Sequence, residues 1–217
     1  MKYLFTVLAL LTSCVLTSAQ VPPKPSNESI ARASHPYQKL VDRAKRGDVT
    51  VDFKELRRAF ADWQCEKNTD APKREVMVDA FNKKDYAKAV ELVEVVLDYE
   101  YIHRGLHLAA EDAYRHLGDT KRAEEHKAIA DKLLDALLTS GDGKTAKTAF
   151  YVLSVREEYF VMQKLGYRPH GQALVSEGDG MFDVLMGTDT STQKEVSLYF
   201  EITSFYGGCE RKSRSKP

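Results

Sequence analysis

The sequence predicts an α+β fold, mainly α. Tetratricopeptide-like antiparallel helical hairpins over residues 37–139 are followed by a small, mostly antiparallel β-sheet with one helix over residues 140–206. Three observations predict it. Apolar residues recur at spacings of three and four up to residue 138, the period of an amphipathic helix. Two stretches inside that region match each other at offsets of 33 and 34 residues, the tetratricopeptide period. Beyond Gly143 the period shortens to two: Val196, Leu198, Phe200 and Ile202 alternate with Glu195, Ser197, Tyr199 and Glu201, as on a half-buried strand.

The elements follow in chain order. Lys2 precedes a short apolar run over residues 3–11, and Thr17-Ser18-Ala19 offers small residues. This is the pattern of a secretory signal peptide over residues 1–19. The run falls short of the roughly 20 residues a spanning helix needs. Leu11-Thr12-Ser13-Cys14 also reads as a lipobox, which would make Cys14 a lipid anchor. Either route exports the protein, to the periplasm or outside the cell, or as a lipoprotein at the envelope. Residues 20–36 are rich in Pro and Ser with little to bury, a disordered linker.

Phe53, Leu56, Phe60 and Trp63 form one helix face, with Lys54, Glu55, Arg57 and Arg58 on the other. Asp70, Ala71 and Pro72 mark a helix start. Val76, Ala80, Ala89, Val93, Val96 and Leu97, then Leu106, Ala109, Ala110, Ala113, Tyr114 and Leu117, continue the period. Gly118 stops that helix, and Asp119 caps one carrying Ala123, Ile129, Ala130, Leu133, Leu134 and Leu137. Ala80-Phe81, Asp85, Ala89 and Val95 align with Ala113-Tyr114, Asp119, Ala123 and Ile129. Two units are fewer than a solenoid needs, so the later segment is expected to cover the open end.

Ser140-Gly141-Asp142-Gly143 reads as a helix C-cap and turn. Residues 148–153 are aromatic and β-branched, a strand. Ser154-Val155-Arg156-Glu157 is a capping box, opening a helix with Val155, Tyr159, Met162 and Leu165 inward and Gly166 as its stop. Residues 172–176 and 181–186 flank Glu177-Gly178-Asp179-Gly180, a hairpin. Residues 207–217 form a disordered basic tail.

Composition narrows the function classes. With 32 basic and 32 acidic side chains the chain lacks the basic field that nucleic-acid binding draws on. At 43% hydrophobic and 29% charged residues it can build a core and is not a disordered chain. Cys65 and Cys209 would remain after leader removal and can pair in an oxidising compartment. Such a bridge would be worth about 4–5 kcal/mol by the chain-entropy argument.

Several residues together, Asp52-Phe53-Lys54-Glu55-Leu56-Arg57, the helix from Tyr101 to Leu117, Leu138-Thr139-Ser140-Gly141-Asp142-Gly143, Thr148-Ala149-Phe150, Glu157-Glu158-Tyr159 and Leu198-Tyr199-Phe200, carry a resemblance to domain-of-unknown-function family 4919. The resemblance spans about residues 37–203 and implies exported bacterial proteins without an established activity. It transfers no catalytic residue.

Candidate chemistry is sparse. His103 and His107 are four apart on one helix, with His116 and His126 on neighbouring segments. Arg104 stands where a metalloprotease helix carries its Glu base. Gly143-Lys144-Thr145 mimics the end of a phosphate-binding loop, but Leu138 occupies the place of the required glycine. Glu157 is assigned to the capping box, Asp179 to the turn, and Asp183 to the wet face of a strand. The reading is therefore an exported, non-catalytic binding or scaffold module for an unknown protein or peptide partner, without cofactor, nucleic acid or transmembrane helix. Tyr86, Tyr99, His103, His107 and Tyr114 are its candidate binding residues. The alternative is an extracytoplasmic metal-dependent hydrolase using His103, His107 and His126.

Overall fold

The structure, a computed structural model, describes residues 34–66 and 74–206. The leader with Cys14, most of the linker, the helix start at Asp70, Ala71 and Pro72, the basic tail, and the Cys65 side chain and Cys209 lie outside the described residues.

Helix α1 (Pro36–Lys45) begins with proline in its first turn, where no amide hydrogen is needed. The His35 ring caps it by accepting the Tyr37 N–H at 3.1 Å. Helix α2 (Phe53–Glu66) buries Phe53, Leu56, Phe60 and Trp63 against Tyr37, Leu40 and Val41. The rings of Tyr37 and Phe60 meet edge-on at 5.2 Å.

Helices α3 (Arg74–Asn82), α4 (Tyr86–Leu97), α5 (Arg104–His116) and α6 (Thr120–Leu138) pack each on the next. The turns before α4 and α6 are built alike. Asp85 accepts the Lys88 N–H at 3.1 Å and Asp119 the Arg122 N–H at 3.0 Å. Each is preceded by a left-handed residue, Lys84 at φ +56 and Gly118 at φ +78. The Asp85 N–H donates to Ala80 O and the Asp119 N–H to Tyr114 O, both at 2.9 Å. Those bonds set Ala80 opposite Tyr114, so the repeat runs at 34 residues on both sides of the turn. The offset of 33 came from matching side-chain types, whereas the turn's hydrogen bonds decide the register.

Val76, Val95 and Leu117 are exposed, and Met77 and Ala80 face inward in α3 instead. Helix α3 packs chiefly on α4, so it buries only a narrow stripe. Helix α6 is the spine of the molecule. Its Ala123 joins the core between α4 and α5, its Leu133 and Ala136 the core with α1 and α2, and its Leu137 the core of the sheet.

Past α6 the chain doubles back tightly. The N–H groups of Asp142 and Gly143 both donate to Thr148 O, at 2.9 and 2.8 Å. A Cβ on Gly141 would lie 2.3 Å from that oxygen, so only glycine fits. This return consumes most of the expected strand over 148–153. A 3-10 turn (Ala146–Thr148) leads into β1 (Phe150–Tyr151), only two residues long. Helix α7 (Val155–Lys164) then crosses to β2 (Tyr167–Glu177), β3 (Gly180–Asp189) and β4 (Glu195–Glu201). The order is β1-β4-β3-β2, with β1 parallel to β4 and the other pairs antiparallel. Gly178 at φ +60 turns the β2–β3 hairpin, with Glu177 paired to Gly180. Leu198 and Phe200 are buried as their alternation predicts, and Ile202 continues the buried set just past the strand. The architecture is α+β, mainly α.

Helix α7 departs from its predicted face. Val155, Tyr159 and Leu165 are exposed, while Glu158, Val161 and Met162 face the sheet. The capping box does not form either: the Ser154 side chain makes no cap bond. Glu157 is turned instead toward Arg57, which the helical period had placed on the solvated face of α2 but which is only 2% exposed. A buried guanidinium needs a carboxylate, and that need overrides the local cap.

Candidate functional site

The seam between the helical layer and the sheet unit holds a cavity of about 570 Å³. Its wall is mainly apolar, with Phe60 from α2, Ile102, Leu133 and Leu137 from the α5–α6 side, and Leu153 and Phe160 from the sheet side. Polar groups enter at the starts of α5 and α7, where His103, Arg104 and Ser154 stand.

Arg57 closes one wall. Its Nη1 and Nη2 donate to the two carboxylate oxygens of Glu157 at 2.8 Å each, and Nη2 also donates to Tyr151 O at 3.1 Å. Glu157 Oε2 further accepts the Leu153 N–H at 2.8 Å. This clamp ties α2 to the segment between β1 and α7. Arg104 is different in kind: its guanidinium lies over the Phe160 ring, 5.6 Å from the centroid, and its buried Nε has no hydrogen-bond partner.

A second cluster sits inside the helical layer. His107, fully buried, bonds Tyr101 O through Nε2 at 2.7 Å. Its Nδ1 faces His126 Nδ1 at 3.0 Å, and His126 Nε2 faces Glu94 Oε1 at 3.0 Å. Tyr114 Oη donates to the same Glu94 oxygen at 3.1 Å and carries Arg122 over its ring at 4.4 Å. Burial, partly opposed by the Tyr101 carbonyl, pulls His107 down to about 4. Burial would raise Glu94, but the bond and charge of His126 and the Tyr114 hydroxyl outweigh it and leave its carboxyl below the usual value.

A third lies under the sheet edge. Glu158 of α7 and Asp183 of β3 are 0% and 3% exposed. Gln172 Nε2 donates to Asp183 Oδ2, while both Glu158 oxygens and Asp183 Oδ1 lack a partner. Burial first, and the Asp183 carboxyl second, push Glu158 up to about 8. Asp183 therefore does not stand on a wet strand face. It shares the core face with Leu185, opposite Phe200.

Of the five candidate binding residues, His103 lines the cavity, with its Nδ1 accepting the Leu106 N–H at 3.2 Å. His107 and Tyr114 are buried in the Glu94 cluster. Tyr86 is half-buried and stacks on His116 at 4.0 Å, and Tyr99 is half-buried at the end of α4. Of the alternative metal set, His107 and His126 come together and His103 does not, since its Nδ1 caps α5. Among the described residues no group of three or more His, Cys, Asp or Glu side chains is placed to hold a metal ion. Arg57, Glu94, Arg104 and Glu158 escape a sequence reading. The available signal for Glu158 was its spacing of three and four from Val161 and Met162 on one helix face.

Among the described residues no helix is long and apolar enough to cross a membrane. A family model for a domain of unknown function, DUF4919, matches residues 27–207. No curated protein and no solved structure matches the chain.

Proposed function

The chain belongs to the DUF4919 family, and we propose that it is an exported, non-catalytic binding module whose ligand enters the cavity between the helical layer and the sheet unit. One observation carries the reading: a cavity of about 570 Å³ walled by both halves of the chain. That is the size and mainly apolar character of small-molecule sites, which favour junctions between structural units. The signal-peptide pattern over residues 1–19 supports export. The 34-residue recurrence of the Asp85 and Asp119 turns supports a tetratricopeptide-like helical layer. Such a layer offers half-buried Tyr86 and Tyr99 to a peptide partner, with His103 closer to the cavity.

The test is a thermal-shift screen of the mature chain against a panel of small acids, alcohols and amines, run beside Leu134→Trp. Leu134 lines the cavity, and the larger ring fills it. Ligands that raise the wild-type Tm by several degrees should lose that effect in Leu134→Trp. A panel in which no compound stabilises the wild type more than the filled variant overturns the reading.

A further inference from the structure

We propose that the ligand of this cavity is an amphiphilic carboxylate, its acid group held by Arg104 and its apolar body lying along Phe60, Ile102, Leu133 and Phe160. The inference rests on the binding-module reading and names the ligand class.

Charge complementarity carries it. The wall holds three arginines, Arg57, Arg104 and Arg156, and two glutamates, Glu100 and Glu157, an excess of one positive charge. Arg57 and Glu157 neutralise each other in a two-pronged pair with both bonds at 2.8 Å. Arg104 has no such partner among the described residues. Its Nε is buried without a hydrogen bond, and the Phe160 ring holds the guanidinium in place. A buried guanidinium nitrogen left unsatisfied is costly, and the planar fork of arginine matches a carboxylate with two parallel bonds. The cavity beside it is lined by leucine, isoleucine, valine and phenylalanine side chains, which cannot accept a hydrogen bond but can bury an alkyl chain. Ser154 supports the same polarity, because its side chain leaves the start of α7 uncapped at the cavity rim.

The occupant is a free small molecule and not the chain's own tail. Residues 207–217 carry Arg211, Lys212, Arg214 and Lys216 beside the single acid Glu210, a charge that the cavity wall repels.

The experiment is calorimetric titration of the full mature chain with decanoate, decan-1-ol and decylamine, on the wild type, Arg104→Met and Leu134→Trp. The expected result is a preference of at least tenfold for decanoate over decan-1-ol. Arg104→Met should abolish that preference while still binding the alcohol, and Leu134→Trp should bind none of the three. If the alcohol and the acid bind equally, and both are lost in Leu134→Trp, the ligand class is wrong and the binding-module reading stands. If none binds the wild type, or Leu134→Trp binds as well as the wild type, this assignment falls. The broader screen above then decides the module reading separately. Retention of the decanoate preference in Arg104→Met also overturns the assignment.

Discussion

The Nδ1 atoms of His107 and His126 lie 3.0 Å apart, and the other nitrogen of each ring is already engaged. The Tyr101 carbonyl can only accept, so His107 carries its proton on Nε2 and, being neutral, offers Nδ1 as an acceptor. His126 must then donate from Nδ1. Its Nε2 meets a Glu94 oxygen that already accepts from Tyr114. All contacts are satisfied when His126 carries both protons and Glu94 is ionised. The pattern is a carboxylate–imidazolium pair with a neutral imidazole behind it, linking α4, α5 and α6.

This arrangement predicts an acid limb in stability. His107 has a folded value of about 4 against 6.5 for the free side chain. Between those values the unfolded chain binds the extra proton, so stability falls as pH drops from about 6.5 toward 4. Glu94 acts in the same direction: its carboxyl is lowered in the folded state, so its contribution is present above the unfolded carboxylate value and is lost as pH falls through the folded one. Urea denaturation of wild type and His107→Gln at pH 7, 6 and 5 checks this. The wild-type slope should be steeper by up to about 1.4 kcal/mol per pH unit. Equal slopes would show that His107 does not set the limb.

Replacing Glu94 by Gln should cost about 1 kcal/mol at pH 7, because the Glu94 side chain is 39% exposed and water screens its pair with His126. The loss should shrink in 1 M salt, where screening is stronger. Chemical denaturation with and without salt reads both. A salt-independent loss would assign the effect to the Tyr114 hydrogen bond instead.

What was legible in the chain is what local chemistry decides. Asp85 and Asp119 read as caps because an aspartate ahead of an apolar period has few other uses, and both cap helices. The alternation over 195–202 is equally local, since period two places Leu198 and Phe200 on one face. Arg57 was illegible. Between Leu56 and Arg58 it reads as solvated, and the partner that buries it, Glu157, lies 100 residues away. The same distance hid the true role of Glu157, whose position in a capping box is a strong local signal that tertiary pairing overrode. Arg104, likewise, reads as a spoiled metalloprotease helix until Phe160 is brought over its guanidinium.

The clamp between Arg57 and Glu157 should dominate the coupling of the two halves. Glu157→Gln leaves a guanidinium that is 2% exposed without its countercharge, a loss of about 3–5 kcal/mol for a broken buried pair. Arg57→Met alone should cost less, because Glu157 keeps the Leu153 N–H and is 23% exposed. The double variant Arg57→Met/Glu157→Gln should recover part of the Glu157→Gln loss. Denaturation midpoints of the three variants measure this as a double-mutant cycle. Additive losses would mean that the pair contributes no coupling.

Glu158 and Asp183 oppose each other under the sheet with three oxygens unpaired, so two negative charges there are disfavoured and one proton is retained. With Glu158 at about 8 when folded and 4.5 as the reference, the folded chain binds more protons than the unfolded chain in that window. Stability therefore declines as pH rises from about 4.5 to 8, opposite in sign to the limb set by His107. Glu158→Gln keeps the shape and removes the titration. The Gln amide can donate to the Asp183 oxygen that now lacks a partner. The variant should be more stable than wild type at pH 8.5, by about 1–3 kcal/mol for a relieved buried charge, and nearly equal to it at pH 5. Asp183→Asn should behave alike if the two acids share one proton. A Glu158→Gln protein less stable than wild type at pH 8.5 would mean that Glu158 is ionised there and held by a favourable contact. The two opposing limbs together place the stability maximum of the wild type between about pH 5 and 7, and removing the Glu158 limb should move that maximum upward.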